Sequence, residues 1–270
     1  MWMPLILTRH SVRRMRSLLL TMTVILTGFQ LLLAALADLL GNSSAFSKLA
    51  GMAPPAVRQL MGPSLVTMLS VSGVMALGYF HTAIEAALVA LVIMIGSEPV
   101  GELEAGFTDL ALSRPMGRSA VMMRTLILML VCPTVVVGAM GLGTAAGEHW
   151  VLREGLPGPE PRLVWSIALN LWALLIAWGG IMMAVASVSR RRGGAIAVVA
   201  TAALVATLAD YLARAWAPLQ KFAWLSPFHY YSPLDLVTGA ALSWTHVLTL
   251  LGIAATGVAA AFVLFARRDL

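Results

Sequence analysis

Long apolar runs dominate this chain and leave it one broad class of fold. A helix needs about 20 apolar residues to cross the hydrocarbon core of a membrane, which is about 30 Å thick. Only 11% of the residues are charged, against about 25% in soluble domains. The sequence therefore predicts an all-α membrane protein with six transmembrane helices in a single domain, residues 1–270. The predicted spans are residues 17–40, 77–96, 119–143, 163–188, 195–213 and 242–266.

Two of the apolar runs leave room for a different interpretation. As one helix, residues 64–97 would be about 51 Å long, so we expect a break near Gly73 or Gly78. The first run follows basic residues and contains Ala35, Leu36 and Ala37, a small-x-small pattern. A cleaved signal peptide is therefore an alternative to the first span, although its apolar region usually has only 7–15 residues.

Two further segments have the character of the membrane surface. Residues 4–16 can form a helix with apolar residues along one side and arginines along the other, which suits a helix in the headgroup plane. A simple basic flank of the first span is the alternative. Residues 214–240 combine several aromatic residues with prolines, which predicts short outer helices that lie on the membrane or re-enter it.

The distribution of basic residues predicts the orientation. Both termini, residues 96–118, the nearby Arg124 and residues 189–194 together contain 12 of the 18 lysines and arginines. Basic residues are enriched on the cytoplasmic side of membrane proteins. We therefore expect a multi-pass protein of the cell membrane, inner or plasma, with both termini in the cytoplasm. The net charge of +6 is best explained by lipid headgroups, and we expect no nucleic-acid partner.

The polar segment at residues 96–118 separates the second span from the third. Acids come first and arginines follow, an order that suits the dipole of a short helix, and Pro115 provides a stop. We expect a surface helix that contacts a soluble partner, the alternative being a solvated loop. The charged residues are Glu98, Glu102, Glu104, Asp109, Arg114 and Arg118.

Polar residues inside the spans are the candidates for a transport pathway. Glu85 lies within span two, and His81 precedes it by one helical turn. Such a carboxyl can bind substrate or protons, or it can be a structural hydrogen-bonding group. Asp210 and Arg214 have the spacing of an ion pair near the end of span five. The remaining candidates, Gln30 and Asn170, can face a cavity or join helices.

Motifs of enzymes and metal sites are missing from the sequence. It contains no phosphate-binding loop, nucleophile elbow or paired zinc histidines. The five histidines are scattered, and the 16 methionines form no cluster, so copper or another metal is not expected. We predict a protein that is not an enzyme and binds no cofactor itself.

Four parts of the chain resemble a known family. GELEAG at residues 101–106 and LALSRP at residues 110–115, followed by Arg118, are similar to a segment of bacterial ABC transporter permeases of the type-2, exporter-like family. The basic N-terminal segment, the LSP motif at residues 225–227 with Tyr230, and the ending FARRDL also resemble that family. Phe107 and Gly117 depart from it, since Thr and Ser are common there.

The resemblance implies a permease subunit that forms the substrate pathway of an exporter as a homo- or heterodimer. Separate nucleotide-binding subunits would bind ATP and magnesium. It also implies a connecting helix at residues 1–16, a coupling helix at residues 100–112 that contacts the ATPase, and an outer re-entrant element at residues 214–240. A stand-alone proton-coupled carrier that uses Glu85 and His81 is the alternative, although carriers often show two similar halves and no repeat is evident here.

Overall fold

The chain folds almost entirely into α-helices. A computed structural model describes residues 3–41, 70–105 and 118–267, and these contain no β-strand. We number their helices α1 Met3–Gly41, α2 Val71–Phe80, α3 Thr82–Gly96, α4 Glu98–Glu104, α5 Arg118–Trp150, α6 Pro161–Val188, α7 Arg192–Ala215, α8 Ala217–Gln220, α9 Pro233–Val237 and α10 Trp244–Ala266. Two short 3₁₀ turns, Ala223–Leu225 and Pro227–Tyr230, lie between α8 and α9.

Six of these segments are long and apolar enough to cross a membrane. They are Met15–Gly41, Val71–Gly96, Ser119–Trp150, Pro161–Val188, Arg192–Arg214 and Trp244–Ala266. Their number confirms the prediction of an all-α fold with six membrane-spanning helices. The last three spans begin and end within a few residues of the predicted bounds. The composition of all six is that of a multi-pass membrane protein.

The structure differs from the sequence-based prediction at three helix boundaries. Helix α1 is continuous over Met3–Gly41, so no break separates the predicted surface helix from the first span. Span two is broken at His81, between α2 and α3, and not at a glycine. Helix α5 passes through Pro133 and continues to Trp150, beyond the predicted end at residue 143.

Helix α6 forms the centre of the bundle. It is the most enclosed of the six spans, and it packs against α10, α3, α5 and α7. Its contact with α10 is a close approach of two backbones, because a Cβ at Gly257 would lie 2.5 Å from the carbonyl carbon of Gly180. Small residues allow such packing between membrane helices. Helix α1 packs along α5 and α2 on another side of the bundle.

Candidate functional site

The break in span two is held by side chains from two regions of the chain. His81 ends α2 and caps α3, where its Nδ1 atom accepts a hydrogen bond of 3.3 Å from the Ala83 N–H. In an uninterrupted helix that N–H would donate to the carbonyl of Tyr79. The Tyr231 hydroxyl donates to the Tyr79 carbonyl instead, at 2.7 Å. A residue of the outer segment thus replaces a backbone hydrogen bond that the break removes.

The outer segment, residues 216–240, is anchored to the bundle by further hydrogen bonds. The Asn170 amide of α6 donates to the Tyr230 carbonyl at 3.1 Å, and its oxygen accepts from the Ser232 N–H at 3.2 Å. Burial raises the pKa of Tyr231 well above its usual value, so the phenol stays protonated and remains a donor. The short outer helices are therefore fixed against spans two and four.

A cavity of about 360 Å³ lies between span two, α7 and the outer segment. Two carboxylates line it: Glu85 in the first turn of α3 and Asp210 near the end of α7. Asp210 forms an ion pair with Arg214, whose Nη2 atom is 2.8 Å from Oδ2. Both of these charges interact with Glu85, which is half-buried. The structure thus brings together Glu85, Asp210 and, at the helix break, His81.

The other two predicted pathway residues lie away from this cavity. Asn170 holds the outer segment, as described above. Gln30 is 1% exposed and packs against α2 at Gly78, where a Cβ would lie 2.4 Å from its Nε2 atom. Its amide has no hydrogen-bond partner among the described residues. Gln30 thus lies at a contact between α1 and α2, and Asn170 joins α6 to the outer segment.

A second polar site lies at the opposite end of span two, around α4. Glu102 and Arg124 form a two-pronged ion pair, with Nη1–Oε1 and Nη2–Oε2 distances of 2.7 and 2.9 Å. The Arg124 side chain is only 3% exposed, and that of Glu102 is 15% exposed. Because Arg124 lies near the start of α5, this pair attaches α4 to span three.

Arg192 attaches the same short helix to span five. Its Nη2 atom lies 3.1 Å from Oε1 of Glu98, and its Nε–H donates to the Ser97 hydroxyl at 3.0 Å. Its backbone N–H donates to Glu104 at 2.8 Å. Gly101 leaves room for this side chain, since a Cβ there would lie 2.8 Å from Cδ of Arg192. The start of α7 is thereby joined to both ends of α4.

These contacts change the interpretation of the predicted partner-binding residues. The resemblance implies a coupling helix at residues 100–112. Helix α4 begins earlier and covers Glu98–Glu104, with Pro99 in its first turn, and residues 106–112 lie outside the described residues. Its acids bind arginines of this chain. Asp109 and Arg114 lie outside the described residues, and Arg118 begins α5.

Arg124 and Arg192 are the residues of this second polar site that the sequence interpretation did not include. One signal was available, because a charged residue such as Arg124 inside an apolar run requires a partner. Arg192 gave no comparable signal, since it belongs to a run of arginines in a predicted turn. The described residues contain no cluster of His, Cys, Asp or Glu suited to a metal ion.

Comparisons with known proteins assign no family to this chain. A scan against protein-family models found no match, and a search of curated proteins found no similar sequence. The cavity beside Glu85 and the ion-paired helix α4 are therefore the two features that bear on its function.

Proposed function

We propose that this chain is the transmembrane subunit of an ATP-driven exporter of the ABC type. It would form the substrate pathway as a dimer, homo- or heteromeric, and couple to separate ATPase subunits. The observation that carries the proposal is the attachment of α4 to three spans. This helix follows α3 in the chain and is ion-paired with Arg124 of α5 and Arg192 of α7.

Such an attachment suits a coupling element. A force applied to a free loop would be absorbed by the loop, whereas a force applied to α4 acts on the ends of spans two, three and five together. Glu98, Pro99 and Val100 are buried against the bundle, while Glu104 and Ala105 are exposed. A soluble partner would have access to this exposed end.

The resemblance to the permease family adds the partner's identity to this proposal. The family's motif covers α4 and the residues that follow it, so we propose an ABC ATPase as the partner. Glu98, Glu102 and Glu104 would position the helix, and Asp109, Arg114 and Arg118 would supply direct contacts. ATP and magnesium would be bound by the ATPase, because the sequence of this chain has no phosphate-binding motif.

The membrane arrangement that we propose follows the basic residues. Both termini and α4 would lie in the cytoplasm of a cell whose inner or plasma membrane holds the protein. The basic stretch at residues 1–16 would contact lipid headgroups. The outer segment would then cover the opposite end of the bundle, where it closes the pathway as a re-entrant element.

One observation favours a second candidate, a proton-coupled carrier without an ATPase. Transporters of that class often have a broken span at the substrate site, with carboxylates near the break. Glu85 has this position, one turn beyond His81. In this mechanism Glu85 would exchange a proton during each transport cycle.

Purification from native cells in mild detergent separates the two candidates. We expect an ATPase with a phosphate-binding loop to co-purify with the wild-type protein and to be lost from Arg114→Glu. Arg153→Glu is the matched control, because this arginine is exposed at the opposite end of the bundle. Recovery of the chain without an ATPase, together with transport that stops when the proton gradient is dissipated, would support the carrier instead.

A further inference from the structure

We propose that the cavity beside the break in span two binds organic cations with an apolar body, such as quaternary or protonated amines that carry aromatic rings. This proposal rests on the transport function proposed above, since it names the class of substrate. Three properties of the cavity support it: its position at the helix break, its charge, and its apolar walls.

The position of the cavity is typical of a binding site within a membrane. Backbone that is not helical is tolerated at membrane depth where it is buried in protein or lines a cavity. His81 interrupts span two, and the break opens on the cavity. Many transporters bind their substrates at such discontinuous helices. The hydrogen bond from Tyr231 satisfies the Tyr79 carbonyl, which the break leaves without its helical donor.

The charge of the cavity favours a cation. The ion pair between Asp210 and Arg214 is neutral as a unit. Among the described residues, Glu85 forms no hydrogen bond or ion pair through its carboxylate, although it lies within electrostatic range of that pair. Glu85 is partly shielded from water, so a cation beside it stabilises the ionised form of its carboxyl group. A bound monovalent cation would balance the charge of the ionised Glu85 carboxylate.

The walls of the cavity favour an organic ligand over an inorganic ion. Aromatic and aliphatic side chains make up much of the lining, among them Phe80, Phe228, Tyr231, Leu77 and Leu234. Aromatic faces attract quaternary and protonated amines, whereas metal ions need several oxygen, nitrogen or sulfur ligands. The volume of about 360 Å³ lies within the range of about 300–1,000 Å³ usual for small-molecule sites.

Isothermal titration of the purified full chain with benzyltrimethylammonium tests the proposal without any ATPase. We expect saturable binding by the wild-type protein, and no binding of benzenesulfonate, an aromatic anion. Glu85→Gln should weaken the affinity for the cation about tenfold or more. Arg214→Gln should strengthen it, because Asp210 then adds a second negative charge. Glu154→Gln, an exposed carboxylate outside the cavity, is the control and should bind as wild type.

Absence of benzyltrimethylammonium binding, equal binding of the anion, or wild-type affinity in Glu85→Gln would overturn the proposal. If Arg214→Gln does not fold, Asp210→Asn replaces it. That variant leaves the Arg214 charge unpaired beside the cavity, so it should weaken the affinity for the cation, and wild-type affinity would count against the proposal. A failure here leaves the ATPase co-purification unaffected, so the two proposals are tested separately.

Discussion

Replacing Glu102 by glutamine should destabilise the protein more than any other conservative change of a single carboxylate on α4. The substitution keeps the size of the side chain but leaves the Arg124 guanidinium without its anion. Arg124 is 3% exposed, and its Nε atom already has no hydrogen-bond partner among the described residues. The cationic side chain would thus remain buried with one neutral acceptor in place of a charged one.

The expected loss of stability follows from this burial. Removing one partner of a buried ion pair costs about 3–5 kcal/mol, because the remaining charge is uncompensated. Glutamine retains one acceptor oxygen for Arg124, so the lower value, about 3 kcal/mol, applies here. For a chain of this size, 1 kcal/mol corresponds to about 2 °C in the unfolding midpoint. We therefore expect a fall of about 6 °C for Glu102→Gln.

Thermal unfolding in detergent, followed by circular dichroism, measures this shift. The double variant Glu102→Leu with Arg124→Met should unfold near the wild-type temperature, because replacing both charges of a buried pair by apolar groups is often neutral. Asp38→Asn is the control, because its partner Arg153 is 67% exposed. The substitution therefore leaves no buried cation unpaired, and a pair with such an exposed partner contributes about 0–1 kcal/mol. An unchanged midpoint in Glu102→Gln, or a double variant less stable than either single one, would refute the reasoning.

Two further predictions concern the packing of the bundle and the outer segment. Gly257→Ala should lower the unfolding midpoint, because its Cβ would collide with the backbone at Gly180. Gly252→Ala on the same helix is the control and should leave the midpoint unchanged, since its Cβ would meet nothing within 4 Å. Equal midpoints for the two variants would contradict the close approach of α6 and α10. Tyr231→Phe should cost about 1–3 kcal/mol by leaving the Tyr79 carbonyl without its donor, and wild-type stability would show that this hydrogen bond is dispensable.

The number of spans was predictable because the membrane sets a minimum length for every apolar helix that crosses it. The position of the break in span two was not. The sequence predicted a break near one of two glycines, Gly73 or Gly78. Gly78 instead lies inside α2, where it makes room for Gln30. The break at His81 depends on a cap formed by its own side chain and on a hydrogen bond from Tyr231, which is distant in sequence. The cap is local in sequence, whereas the hydrogen bond from Tyr231 exists only in the tertiary structure.

The candidate site was predictable in its residue types and not in its pairings. Glu85 and Asp210 were expected as candidate pathway residues because charged groups are rare within spans, and the structure places both beside one cavity. The acids of the polar segment were expected to face a partner protein. Their pairing with Arg124 and Arg192 depends on the rotation of three helices about their axes, which the order of residues along the chain does not determine.

Both polar sites include residues of spans two and five, which connects the sites mechanically. Span two carries Glu85 in the cavity and continues directly into α4, while α7 begins with Arg192 and carries Asp210 near its end. A partner that displaces α4 therefore acts on both walls of the cavity. Suppose that a ligand has different affinities for two arrangements of these spans. Binding of that ligand in the cavity would then also change the affinity of α4 for its partner. Transport and coupling would then be two aspects of one movement of span two against span five.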